Sequence, residues 1–552
     1  MTTNWLLVLR LSAVLVAASL GKGAEFSTET ERLVAASRLW VTVDFFHPYV
    51  ADKKVDWDSA FVSAVPKIRS ARTRDEYAAA IGSMLDELHD PTSKFSEAPT
   101  QRSLLRTAFE TSFVIKAGKD VDTFTMDVLP GVPATIRLSE PNTNATYLKA
   151  MATFEEPYPS AEARILAAAK TWGTIRYFFA YKDLIDEDWD DIFAQFLPKF
   201  IAAKDAREYN LTLCDMLTHL TDSNTIARSK TLDDYFGEAP VGLRLRMLDK
   251  HPVIVAVLDP AAAEAGVKPG DIIKRVDGES IVDRFNNQVQ YVPASTPQRS
   301  SYDTLQRILN GPAGSKVTIA METPTGEPKS VVLERSPTYE SAPQRTGEAI
   351  RLLDGNIGYI DLDRASKDDS EKAMQRFQSA KGLILDLRGK AVSADMIAAH
   401  LVAQPNTPSA IVTTPLVLHP DVVTEGIATQ TASTFLVETL RAAMLPTFKG
   451  KTVALIDERT IGEAERAGLM FEAASKIEFT GSPSAGADSE LATFALPGGV
   501  TVSYSARDIR HANGGKLQRL GLQPNEAAAD TAKSIRDGKD VALETALAYV
   551  GR

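Results

Sequence analysis

Gly382-Leu383-Ile384-Leu385-Asp386-Leu387-Arg388-Gly389 opens as an unbroken apolar run and closes on two charged residues and a glycine. A run this short, without polar alternation, fits a strand buried on both faces, as in parallel sheets covered by helices, and Gly389 supplies the turn out of it. The flanking segments share this texture. Gly358-Tyr359-Ile360-Asp361-Leu362 and Thr452-Val453-Ala454-Leu455-Ile456-Asp457 read as further strands, Ser370 to Ser379 as a helix, and Asp488 to Tyr504 as a hairpin around Pro497-Gly498-Gly499. Strands alternating with helices give an α/β core with a partly parallel sheet, assigned to residues 338–552. Within it, residues 405–448 are rich in Thr and Ala; His419-Pro420 marks a turn there and carries no functional reading.

Upstream, Pro240-Val241-Gly242-Leu243-Arg244-Leu245 leads into Pro252-Val253-Ile254-Val255-Ala256-Val257 and then Pro260 to Gly278, with Gly266 and the turn Pro269-Gly270-Asp271. Residues 236–337 thus resemble a PDZ domain of the circularly arranged kind found in bacterial exported proteases. The chemistry agrees: Gly242 lets a backbone loop approach a peptide carboxylate, and the strand after it offers an open edge to which an extended peptide can add. Val241, Gly242, Leu243 and Arg244 are the expected peptide-binding residues. Gly266 and Gly270 fit a helix stop and the bend into the next strand.

Before that domain the sequence repeats itself. From Glu31 to about Phe95 it recurs at a gapless offset of 132 residues: Trp40 with Trp172, Phe46 with Phe178, Trp57 with Trp189, Tyr77 with Tyr209, Asp90 with Asp222. Apolar residues at helical spacing, as in Leu33, Ala36, Leu39, Trp40 and Val43, make each copy a small helical bundle, and the aromatic positions are read as core. The copies are placed at 25–98 and 156–235, joined by a β-rich connector at 99–155 that includes Ser112 to Ile115 and Thr123 to Val128.

Residues 1–24 read as an export signal, with Arg10 ahead of an apolar run from Leu11 to Leu20 and small residues beyond it; an uncleaved anchor is the alternative. The expected location is periplasmic or extracellular, with no stable membrane span after cleavage. A net charge of −11 without a long basic run argues against nucleic acid as partner. Cys214 is the only cysteine, so neither an intramolecular disulfide nor a thiolate metal cluster can form, and a core position is expected for it. Histidines and carboxylates show no metal-ligand spacing; no metal and no cofactor is expected.

The order of helical segment, PDZ-like domain, Gly-Tyr-Ile strand, Asp386-Leu387-Arg388-Gly389, Asp457-Glu458-Arg459-Thr460, Gly481-Ser482-Pro483-Ser484-Ala485-Gly486 and Gly521-Leu522-Gln523-Pro524 resembles the C-terminal processing, or tail-specific, serine peptidases and the related tricorn core. The resemblance implies a multidomain α+β chain: a duplicated N-terminal helical segment, a PDZ domain and a crotonase-like α/β peptidase core. It also implies serine-type hydrolysis of polypeptides, often near a free C-terminus.

Such catalysis needs a nucleophile, a base and oxyanion donors. By the resemblance, the nucleophile stands three residues before a glutamate, which is Glu465; Gly462 occupies its place. The lysine base of one branch falls at Ala487. The histidine base of the tricorn-like branch falls at Asn224 in Asp222-Ser223-Asn224-Thr225, and Asn does not exchange a proton near neutral pH. The turn in the first copy, Asp90-Pro91-Thr92-Ser93, also lacks histidine, and the tricorn-like glutamate aligns near Gln518. The loop whose amides form the oxyanion hole is Gly389-Lys390-Ala391-Val392-Ser393, crowded by side chains where the family has glycines.

The residues that build the fold are kept while those that perform the chemistry are replaced together. Triad members act as a unit, so the sequence favours a pseudopeptidase that binds polypeptide or protein C-termini through its PDZ domain and old substrate groove. The alternative is an active serine peptidase with a relocated nucleophile, Thr460, Ser223 or Ser393, served by His219 or His89. A third reading is a small apolar ligand binder, since a vertebrate retinoid-binding protein resembles the family without being a protease.

Overall fold

A computed structural model of the chain describes residues 26–51, 55–95, 113–117, 122–129, 132–137, 156–340, 345, 347–417, 432–443 and 446–551. The export-signal segment, His419-Pro420 and most of the connector lie outside these residues. Among the described residues no helix is long and apolar enough to cross a membrane.

The N-terminal half is two three-helix units. Helices Glu29–Phe46, Trp57–Ser70 and Arg74–Asp86 are matched by Ala161–Phe178, Trp189–Ala202 and Ala206–Thr218, every boundary displaced by the 132 residues seen in the sequence. Capping residues explain the boundaries: Thr28, Asp56 and Thr73 in the first unit, Ser160, Asp188 and Asp205 in the second, each accept from an amide of the first turn. The core bonds match too. Trp57 Nε1 donates to Trp40 O at 3.0 Å, as Trp189 Nε1 does to Trp172 O at 3.0 Å, and Arg32 and Arg164 clamp Ile68 O and Phe200 O at 2.9 and 2.7 Å.

The units face each other reciprocally, the mark of a two-fold contact. Arg38 of the first pairs with Asp190 of the second at 2.7 Å, while Lys170, the counterpart of Arg38, pairs with Asp58, the counterpart of Asp190. The rings answer in the same way: Phe45 meets Phe178 at 5.2 Å and Phe46 meets Tyr177 at 5.5 Å. Gly173 faces its own counterpart Val41 so closely that a Cβ there would lie 2.5 Å from Val41 Cγ2. One position breaks the pattern: Arg176 bridges Asp190, but its counterpart is the half-buried Asp44, whose carboxyl is raised by lost hydration and by the neighbouring Asp58.

Each unit ends in a short strand. Lys94–Phe95 joins an antiparallel sheet with Val132–Arg137, Asp122–Leu129 and Phe113–Ala117. Ile226–Arg228 pairs instead with Val500–Ser505 of the hairpin completed by Leu491–Leu496. That hairpin turns at Gly498 and Gly499, both at positive φ (92° and 68°), as Pro497-Gly498-Gly499 predicts. It was expected as part of the α/β core, yet Phe494, Leu496, Val500, Val502 and Tyr504 pack into the hydrophobic cluster of the helical units.

Residues 236–337 fold as a sheet of Pro328–Glu334, Lys316–Glu322, Ile272–Val276, His251–Val257 and Leu243–Leu248, in that order, with Glu279–Ser280 beside Ile272–Val276. The helices are Pro260–Glu264, Ile281–Val289 and Pro297–Arg307. Cys214 is buried beneath the domain with Leu232, Phe236 and Val292, and burial pushes its thiol up to about 12.

The core sheet runs Ile350–Leu353, Ile357–Asp361, Gly382–Asp386, Lys451–Ile456, Glu478–Gly481, Glu526–Ala527; only the first strand is antiparallel to its neighbour. Helix Val541–Gly551 covers one face, against Tyr359, Ile384 and Leu455; Lys367–Arg376, Ala394–Leu401 and Glu463–Ala474 cover the other. The helix expected over Ser370 to Ser379 runs three residues earlier because Ser366 caps it, accepting from Asp369 N at 3.1 Å. Residues 405–448 contain strands Thr407–Leu416 and Ala432–Leu440, which form a second sheet with Asp508–His511.

Candidate active site

The site lies where the parallel strands end. Asp386 and Arg388 hold the end of Gly382–Asp386 by a local clamp: Asp386 is wholly buried and accepts from Arg388 N, Nε and Nη2 at 3.0, 3.0 and 2.7 Å and from Tyr359 OH at 2.8 Å. Burial alone would raise this carboxyl, but Arg388 and Arg345 hold it well below the usual range, so it stays an anion. The clamp turns the chain into Gly389, at φ 151°.

There the expected oxyanion donor is already taken. Lys390 N donates to Asp363 Oδ1 at 3.0 Å, and a Cβ on Gly389 would lie 2.7 Å from Asp363 Cγ, so only glycine fits beneath that carboxylate. Asp363 carried no signal in the sequence; only folding brings it to the loop.

Strand Lys451–Ile456 runs through Asp457-Glu458-Arg459-Thr460 into helix Glu463–Ala474, with Gly462 at the sharp turn. Gly462 has φ 59° and ψ −118°, and a Cβ there would have nothing within 4 Å. A strained strand-to-helix turn that points its residue into open space is how α/β hydrolases present a nucleophile. This one presents a hydrogen.

Glu465, one turn into the helix and wholly buried, accepts from Ser484 Oγ and from the amides of Gly486 and Ala487 at 2.7 and 2.8 Å. Burial pushes its carboxyl up to about 7 despite these donors. It positions the loop that carries Ala487, where a lysine base would stand. Asn224 reaches the same loop, donating through Nδ2 to Ala487 O at 3.3 Å and Ser505 Oγ at 3.2 Å. Asp222, buried, accepts from Thr225 Oγ1, Ser505 Oγ and Gln518 Nε2 at 2.8, 2.9 and 3.0 Å. Thus Glu465, Ala487, Asn224 and Gln518 form one polar network at the foot of the Gly462 turn. Its members are amides, hydroxyls and carboxylates, with no imidazole or amine to take a proton from a nucleophile.

The relocated nucleophiles do not meet the candidate bases. Thr460 is buried, its Oγ1 donating to Leu387 O at 2.9 Å and accepting from Asp457 N at 3.2 Å. Ser223 and Ser295 bond each other's amides through their hydroxyls at 2.9 and 3.0 Å. Ser393 Oγ is buried without a partner ahead of helix Ala394–Leu401. His219 is turned to Glu187 at 2.7 Å, and His89 lies in the first helical unit. The sequence reading passed over His47, which lies buried with Nε2 3.2 Å from Asp90 Oδ2 and 3.1 Å from Ser93 Oγ. Its counterpart is Phe179, so comparison of the copies carried the signal. Its Nδ1 accepts from Tyr49 N at 3.2 Å, which leaves the proton on Nε2 and no lone pair there for Ser93.

The expected peptide strand, Leu243–Leu248, is the last of its sheet and is paired on one side only. Val241, Leu243 and Arg244 are buried, Gly242 O accepts from Leu258 N and Asp259 N at 2.7 and 3.1 Å, and Gln306 Nε2 donates to Leu245 O at 3.2 Å. The next residue, Arg246, binds the core, with Glu458 at 2.6 Å and Asp530 at 2.8 Å. The start of helix Pro297–Arg307 reaches the site loops: Thr296 Oγ1 to Ala485 O and Gln298 Nε2 to Ser484 O, both at 3.0 Å.

Residues 356–528, which contain the clamp, the turn and the loops above, match peptidase family S41. That domain belongs to the S41 peptidases. Mature CPAF complexed with lactacystin shares its fold, at 13% identity and a TM-score of 0.53 over 71% of this chain and 98% of the other. The photosystem II D1 C-terminal processing protease is similar at 16% identity and a TM-score of 0.42, over 71% and 98% of the two chains. The tricorn protease is similar at 13% and 0.36, over 80% of this chain and 41% of that one. No curated protein matches the chain. The S41 kinship read from the sequence holds for residues 356–528, and the family match does not extend to residues 236–337.

Proposed function

We propose that this is an exported pseudopeptidase of the S41 family that binds polypeptides or partner proteins. The carrying observation is Gly462: the turn that would present the nucleophile keeps its shape and its open space without a side chain to attack. The carboxylate of Asp363 on Lys390 N and the amide of Asn224 at the base position support the same reading. In this proposal residues 236–337 are a PDZ domain, the helical units are a duplication, and export follows from the first 24 residues. In this reading a polypeptide binds in the old substrate groove or along strand Leu243–Leu248, where its backbone would displace the Gln306 side chain from Leu245 O.

The test is fluorophosphonate labelling and turnover of an unstructured polypeptide by the wild type beside Gly462→Ser. No label and no turnover on the wild type, with label gained at position 462 of the variant, is the expected result. Wild-type cleavage that survives further purification would overturn the proposal, and the labelled residue would name the nucleophile.

A further inference from the structure

The internal repeat supplies a comparison within one molecule. In the second helical unit, the groove between helices Trp189–Ala202 and Ala206–Thr218 is filled by Phe196, 2% exposed. Lys199 Nζ stands 3.8 Å from the centre of its ring, and His219 meets it edge-on at 5.4 Å. The residue 132 positions earlier is Ala64, and the adjacent groove residue Ile192 corresponds to Ala60. The cation is kept, since Lys199 corresponds to Lys67.

The first unit accordingly has a cavity where the second has a ring. It measures about 370 Å³ between helices Trp57–Ser70 and Arg74–Asp86. Ala60, Ala64 and Met84 make its apolar floor, while Lys67, serines and the carboxylates of Asp56 and Glu87 complete the lining, Glu87 standing in the place of His219. An apolar cavity of about 150 Å³ already takes benzene, so a single ring fits with room to spare.

We infer that this cavity is a binding site for an aromatic side chain of a polypeptide. The chemistry of the occupant is read from the second unit, where the equivalent space holds a phenylalanine ring beneath a lysine. Lys67 would stand over the ring's negative face, an attraction worth more as water leaves the groove. The site lies in the helical unit, and the inference goes beyond the reading of the S41 domain and does not depend on it.

The test is saturation-transfer NMR on the full chain with N-acetyl-phenylalaninamide, with N-acetyl-alaninamide as control. Ring-proton transfer is expected from the phenylalanine probe only, lost in Ala64→Phe, which fills the cavity as Phe196 fills its counterpart, and weakened several-fold in Lys67→Ala. Equal transfer to wild type and Ala64→Phe, or none to the wild type, would overturn the assignment. An Ala64→Phe chain that failed to fold would overturn it too, because the groove would then lack room for a ring; Ala60→Ile gives a second filling variant for the same comparison.

Discussion

Lys390 gives its amide hydrogen to Asp363 at 3.0 Å, so the donor that should meet a developing negative charge already faces a full one. A tetrahedral intermediate would have to displace a carboxylate before it could be stabilised. A serine in place of Gly462 should therefore label, but slowly. In the Gly462→Ser background, Asp363→Ala should speed fluorophosphonate labelling at least about tenfold, since one oxyanion donor is worth about 10²–10³ in rate. An unchanged rate would mean Lys390 N is not aimed at the reacting atom. Gly462→Ser itself should cost on the order of 1–3 kcal/mol for the backbone at φ 59°, read by urea melts.

Glu465 should make stability fall as the solution becomes less acidic. Its folded value of about 7 exceeds the ordinary 4.5, so the native state holds its proton more tightly than the unfolded chain does. That contribution is fully present below about pH 4.5 and is lost as pH rises through 7, an interval corresponding to roughly 3 kcal/mol. Glu465→Gln should flatten the loss of stability between pH 5 and 7.5 relative to wild type. Burial also raises Asp488, to about 6, and Asp44, to about 7, so a slope of the same sign should persist in the variant. Equal slopes in the two proteins would place the titrating group elsewhere.

Arg246 should be among the costliest residues to truncate. It is buried with Asp457, Glu458 and Asp530 as its partners, and Arg246→Ala would take the shared cation from all three carboxylates, leaving Asp457 with Arg459. Breaking a buried pair from one side costs about 3–5 kcal/mol. Arg246→Lys should recover only part of this, because Nε and Nη2 of Arg246 grip Glu458 at two points. Limited proteolysis within residues 236–337 should rise in step with the loss of stability.

Gly173→Ala should destabilise the helical half by about 1–3 kcal/mol, because the new methyl lands 2.5 Å from Val41 Cγ2. Val41→Ala on top should recover much of the loss. If the double variant is no better than the sum of the singles, the two helices do not meet at this point.

Much of this was legible in the chain because it was local or periodic. Asp386-Leu387-Arg388-Gly389 predicts its own structure: the aspartate binds the arginine two residues on, so the motif carries its partner with it. The apolar spacing in each copy announced a small helical bundle, and the 132-residue offset recurs in the helix limits. What was hidden depends on residues far apart in sequence. Nothing near Lys390 marks Asp363 as its acceptor, and nothing near Leu245 marks Gln306 as the donor to its carbonyl. The hairpin at Pro497-Gly498-Gly499 was legible as a hairpin but its pairing with Ile226–Arg228 was not, because alternation reports a strand's faces and not which edge it will meet. His47 escaped because its partners Asp90 and Ser93 lie more than forty residues away.

The cross-paired contacts Arg38 with Asp190 and Lys170 with Asp58 join two bundles that one chain already holds together. Such a tether sets their mutual effective concentration on the order of millimolar, far above that of free proteins in solution. Within the first bundle Asp44 sits beside Asp58 where the second has Arg176 beside Asp190, and the paired contacts between the bundles persist all the same. One bundle can then act as scaffold while the other sheds the large side chains of its groove, which is the asymmetry seen between Phe196 and Ala64. A covalent partner of this kind is a licence to vary.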